Sequence, residues 1–131
     1  MLNIMDILEN IRKEERSIIV TLPSNIKWKD YEKELSKVED GKYTLNFKVY
    51  NFPKGITKGS KCYICHQGYV KGWMEIIGFS EKDFVCTTTG KPWKGKFVER
   101  SGKFHYLDDK IPYKGFQGFR YFNINDYINN D

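Results

Sequence analysis

The chain has 131 residues, enough for one domain, with 40% hydrophobic, 16% aromatic and 30% charged residues; a disordered chain would lack those aromatics. No apolar run approaches the ~18 residues of a membrane span. The formal net charge of +5 is uneven: residues 42–122 hold fifteen Lys/Arg against six Asp/Glu, a balance of +9, while residues 1–41 (seven against nine) and the tail from 123 each come to −2. Such asymmetry argues about partners, and a basic middle points to nucleic acid or another polyanion.

Residues 3–15 predict a helix: Asn3 can cap it and Ile4, Leu8 and Ile11 share a face. The acids Asp6, Glu9, Glu14 and Glu15 fit neither a secretory signal nor a mitochondrial presequence, so the expected location is the cytoplasm. Three cysteines, an odd number, agree with a reducing compartment. Residues 17–22 (SIIVTL) predict a strand, stopped by Pro23. Ser24 or Asn25 then caps a second helix, where Trp28, Tyr31, Leu35 and Val38 form an apolar stripe that Asp40-Gly41 ends.

After Gly41 the period changes to two. Tyr43, Leu45, Phe47 and Val49 alternate with more polar neighbours, as a half-buried strand requires. Residues 61–66 (KCYICH) and 69–79 flank Gln67-Gly68 as a hairpin. Residues 84–88 predict a strand and 89–93 a loop. Residues 94–100 and 103–107 flank Ser101-Gly102 as a second hairpin, and Pro112 opens a last alternating segment. The fold class is α+β: a small open barrel of about five to seven mainly antiparallel strands with two N-terminal flanking helices. It is one domain, with a helical part over 1–41, a barrel part over 42–122 and an acidic tail over 123–131.

The string Cys62-Tyr63-Ile64-Cys65-His66 has the form of a haem-attachment motif. In a strand, however, residues three apart point to opposite faces, so Cys62 and Cys65 diverge. Zinc would need one of them with Cys86, His66 or His105. No metal and no cofactor is expected. Residues 87–91 (TTTGK) lack the spacing of a phosphate-binding loop.

Basic and aromatic residues interleave in the second half of the chain. Trp73, Trp93, Phe116 and Phe119 are candidate stacking groups for bases, and Lys94, Lys96, Arg100, Lys114 and Arg120 candidate phosphate contacts. Gln117, with Thr88 or Thr89, would supply polar base contacts. The glycines at 95, 102, 115 and 118 make residues 93–120 the expected ligand face and residues 43–79 the scaffold. Glu75 is the one acid of its hairpin; an ion pair is its ordinary role and a general base the alternative.

The strings Lys58-Gly59-Ser60-Lys61-Cys62-Tyr63-Ile64 and Val70-Lys71-Gly72-Trp73-Met74-Glu75-Ile76 resemble the PUA-like superfamily, in particular its EVE and ASCH branches, over roughly residues 43–122. The resemblance implies a pseudo-barrel with flanking helices that recognises nucleic acid. EVE-type domains hold a flipped, modified base in an aromatic pocket, which is how a base hidden in a duplex becomes readable. Some ASCH members are amidohydrolases of an acylated cytidine using a Lys, a Thr and a Glu; only Glu75 finds a loose counterpart here. The expected function is thus a non-enzymatic RNA- or DNA-binding module recognising one extruded or modified base. The alternatives are a small hydrolase or transferase acting on a modified nucleoside through Glu75, and a phage or host-defence factor that binds a protein.

Overall fold

The computed structural model describes residues 17–128 apart from 42, 86–89 and 91. The helix expected over 3–15 lies outside the described residues, as do most of the 87–91 string and the end of the tail. The elements in chain order are β1 (Ser17–Thr21), α1 (Trp28–Val38), β2 (Leu45–Val49), β3 (Lys61–His66), β4 (Tyr69–Val85), β5 (Pro92–Pro112), β6 (Phe119–Phe122) and the single turn α2 (Asn125–Ile128). The six strands form one sheet in the order β2-β5-β4-β3-β1-β6. Only β1 and β3 run parallel; every other pair is antiparallel. No helix among the described residues is long and apolar enough to cross a membrane.

The sheet is curled into a half-barrel. In a flat sheet, the four spacings from β2 to β1 would measure about 19 Å. Yet Leu45 and Phe47 of β2 line the same cavity as Val20 and Thr21 of β1. Bulges supply the bend, with register shifts between Ile64 and Cys65 on β3 and at three places along β4. Gly72 sits at one of them, and β5 crosses so close that a Cβ there would lie 2.1 Å from the His105 carbonyl oxygen. The β3–β4 turn is the expected one: Gln67 and Gly68 have φ of 49° and 85°, the left-handed pair a tight hairpin needs.

Both faces of the sheet carry a core. The concave inner face gathers Ile18, Val20, Cys62, Ile64, Met74, Ile76, Val98 and Phe104 beneath Leu35 and Val38 of α1. The outer face gathers Ile19, Tyr63, Cys65, Val70, Ile111 and Phe122, with Trp73, Tyr113 and Phe116 packed against them. This explains the unbroken apolar run of β1, which is buried on both sides. It also separates the two cysteines of the CxxCH string, one in each core.

Four expectations need correction. Helix α1 starts at Trp28, after a turn in which the Ile26 N–H donates to the Pro23 carbonyl (3.0 Å); Ser24 and Asn25 are turn residues, and the N-cap Lys27 makes no side-chain cap bond. Residues 94–107 form no hairpin. They belong to the continuous strand β5, and Ser101-Gly102 is a bulge whose buried serine donates from Oγ to the Tyr43 carbonyl at 2.7 Å. Residues 92 and 93, expected in a loop, join β5, where they pair with Val85 and Phe84 at the end of β4. Moreover, β1 sits inside the sheet between β3 and β6, so residues 42–122 do not make the barrel alone.

Candidate functional site

Val98 and Arg100, two residues apart on β5, share one face of the strand. Val98 belongs to the inner core, so Arg100 is carried inward too, opposite Leu45 of β2. It is only 5% exposed. Its Nε and Nη1 have no hydrogen-bond partner in the protein. No ion pair from it to a carboxylate occurs among the described residues. Burial works against its charge, but Tyr31 and Cys62 more than offset this and hold the guanidinium pKa above its ordinary value. It is therefore a cation at any physiological pH. Burial in turn pushes the Cys62 thiol up, against a smaller pull from Arg100, to which it is hydrogen-bonded.

A buried cation with unfilled donors is costly unless something answers it. Arg100 faces a cavity of about 570 Å³ between α1 and the concave sheet, within the roughly 300–1,000 Å³ of small-ligand clefts. Val20, Leu22, Ile26, Leu45, Phe47 and Ile64 give it apolar walls, and Tyr31, Asn46 and Thr21 add hydrogen-bonding groups. The floor is made by the three least exposed lining residues, Ile64, Val20 and Arg100. The exposed Pro23, Asp30 and Glu34 form the rim.

No protein-family model, curated protein or solved structure matched this chain.

The candidate residues read from the sequence do not meet in one place. Arg100, expected at a phosphate on the surface, is in the cavity floor. Trp73 lies on the outer face, where His105 of β5 stacks on it at 4.0 Å and Lys61 of β3 stands over it at 4.4 Å. Glu75 is exposed on that same outer side, in register with Lys61 and away from the cavity. Lys94 lies in a surface depression with Glu81 and Asp83, and Lys96 stands 5.5 Å over Phe52. Phe119 packs against the inner core. Thr88, Thr89 and the side chain of Trp93 lie outside the described residues. Among the described residues no group of three His, Cys, Asp or Glu is placed to hold a metal ion.

Besides Arg100, the expected ligand face meets the cavity through Thr21. The segment from Lys114 to Arg120 passes the end of β1, where the Phe116 N–H donates to Thr21 Oγ1 at 3.2 Å. Gly115 comes so near that a Cβ would stand 3.3 Å from Thr21 Cγ2. Along this strap Lys114, Gln117 and Arg120 are exposed, and Arg120 covers Phe116 at 4.4 Å. Thr21 therefore joins a basic strap to the cavity wall.

Sequence reasoning passed over Tyr31, Leu45, Asn46 and Phe47, which it assigned to a helix stripe and to scaffold. Nothing local marks them, because the cavity exists only where β2 curls toward β1. Arg100 did carry a signal: stepping by two from Val98 puts a cation on an apolar face.

Proposed function

We propose that the protein binds nucleic acid, RNA or DNA, and takes a single unpaired or extruded base into the half-barrel cavity. The observation that carries this reading is Arg100: a buried, permanent cation with no carboxylate partner among the described residues, lining an apolar cleft sized for a small ligand. A planar base buries apolar area against Leu45, Phe47 and Ile64 while its polar edge answers the guanidinium. The basic strap supports a polymeric ligand. Phosphates follow Lys114 and Arg120, because Asp30 and Glu34 repel them from the helix side of the rim. The proposed kinship of residues 43–122 with PUA-like domains points the same way. Glu75 gives the hydrolase alternative no support from its position across the sheet.

The test is fluorescence anisotropy of short labelled single-stranded RNA and DNA between about 50 and 200 mM salt. The expected result is affinity that falls steeply with salt. Lys114→Gln and Arg120→Gln each lower the log–log slope by about one. Arg100→Met weakens binding at every salt concentration and leaves that slope unchanged. Binding that ignores salt, or none at low salt, refutes the proposal.

A further inference from the structure

We infer that Thr21 is a positioning residue: it fixes the strap that carries Lys114 against the cavity wall, so that a base in the cavity and a phosphate of the same strand are held at one spacing. This rests on the proposed function, since it assumes that a base on a polymer enters the cavity. Thr21 is the last residue of β1 and lines the cavity. The strap rounds the end of that strand. Tyr113 and Phe116 pack against the outer core, and Phe119, three residues later, packs against the inner one. Gly118 makes the crossing with φ of 76°, a left-handed conformation that suits glycine.

Two anchors bracket Lys114. At the start of the strap, the Tyr113 N–H donates to the Gly68 carbonyl at 2.9 Å, and the Cys65 thiol donates to the Tyr113 carbonyl at 3.2 Å. In its middle, the Phe116 N–H donates to Thr21 Oγ1 at 3.2 Å, and a Cβ on Gly115 would stand 3.3 Å from Thr21 Cγ2. The Cys65 side chain is hydrogen-bonded to Thr21 as well, so the two anchors meet at one point. Arg120 is held differently, by the pairing of β6 with β1, where it lies opposite Ile19.

The backbone that carries Lys114 is thus fixed relative to the cavity before a ligand arrives. The lysine itself is exposed. A strand whose base enters the cavity brings its own phosphate beside the strap, and the second contact becomes intramolecular. A strap already held in place loses little freedom on binding, so more of that contact appears as affinity. A nucleoside without phosphates gains nothing from the strap. The site therefore takes a base as part of a strand, and the hydroxyl of Thr21 sets the spacing between the two contacts.

The experiment measures affinity for a single-stranded oligonucleotide against salt, in whichever of RNA or DNA binds the full chain. Valine at position 21 keeps the shape of threonine and removes the acceptor, whereas serine keeps the acceptor. Thr21→Val is expected to weaken binding about threefold to tenfold and to lower the log–log salt slope by about one; Thr21→Ser should hold both near wild type. Lys114→Gln added to Thr21→Val should change little further, because the lysine has already lost its place. Arg120→Gln and Arg100→Met should each keep their full effect beside Thr21→Val, since neither group is placed by that hydroxyl. Thermal melting confirms that the variants are folded. Wild-type affinity and slope in Thr21→Val overturn the inference. So does a Thr21→Ser as weak as Thr21→Val, or a Lys114→Gln effect that stays whole beside Thr21→Val. Each of these leaves the base cavity standing. If Arg100→Met changes no affinity in any background, no base occupies the cavity, and both the inference and the proposed function fall.

Discussion

The two faces of this sheet use the same residue types to opposite ends. On the outer face each cation named has an aromatic partner: Lys61 sits over Trp73 and Arg120 over Phe116, each at 4.4 Å, and His105 stacks on Trp73. Such contacts satisfy one another, and a base stacking on Trp73 would have to displace them. On the inner face Arg100 is more deeply buried than any of these cations, yet two of its donors have no protein partner. A count of basic and aromatic residues scores the two faces alike. What distinguishes them is whether the cation's donors are already answered inside the protein.

The largest expected effect bears on both faces at once. Gly72→Ala drives a methyl group into the His105 backbone and the Phe104 ring, at 2.1 and 2.7 Å. Since backbone cannot rotate away as a side chain does, the cost should be about 3 kcal/mol or more in chemical denaturation. Arg100→Met then separates the faces. Removing an unpaired buried charge should raise stability by about 1–2 kcal/mol while oligonucleotide affinity drops. Trp73→Ala should do the reverse, losing about 1–2 kcal/mol of stability with affinity within about twofold of wild type. If affinity instead falls with Trp73→Ala and holds with Arg100→Met, the outer face is the binding surface and the contrast is broken.

The smallest effect is an alkaline one. The folded-state pKa of the Cys62 thiol is raised above 9.0 by burial, partly offset by Arg100. Its contribution to stability is whole below the unfolded value. It is lost as pH rises from there toward the higher folded value, because the unfolded chain ionises first. The slope is at most about 1.4 kcal/mol per pH unit for one group. Burial raises Tyr63 and Cys65 as well, so Cys62→Ala should flatten the alkaline decline and not abolish it. Denaturation midpoints from neutral pH to above pH 9 measure this.

Local chemistry was readable where a residue's own neighbours decide its state. The stripe from Trp28 to Val38 packs as its spacing predicts, Gln67-Gly68 makes its turn, and Cys62 and Cys65 fall on opposite faces of the sheet as strand alternation requires. Ser101-Gly102 misled because a serine and glycine suit a bulge as well as a turn. The choice was made by long-range register: from Trp73 to Glu75, β4 advances two residues while β5 runs back from His105 to Ser101, four residues.

Sequence alone thus determined the α+β class, the strand periodicity, the apolar stripe of α1 and the concentration of positive charge in residues 42–122. Tertiary structure decided which of those charges matter. Period two says that a strand has two faces but not what covers either of them. Cross-strand bulges curled β2 toward β1 and closed α1 over the gap, which turned Arg100 from one basic residue among many into the floor of a cavity. Neither the curl nor the closure is encoded within reach of Arg100's own neighbours in the chain.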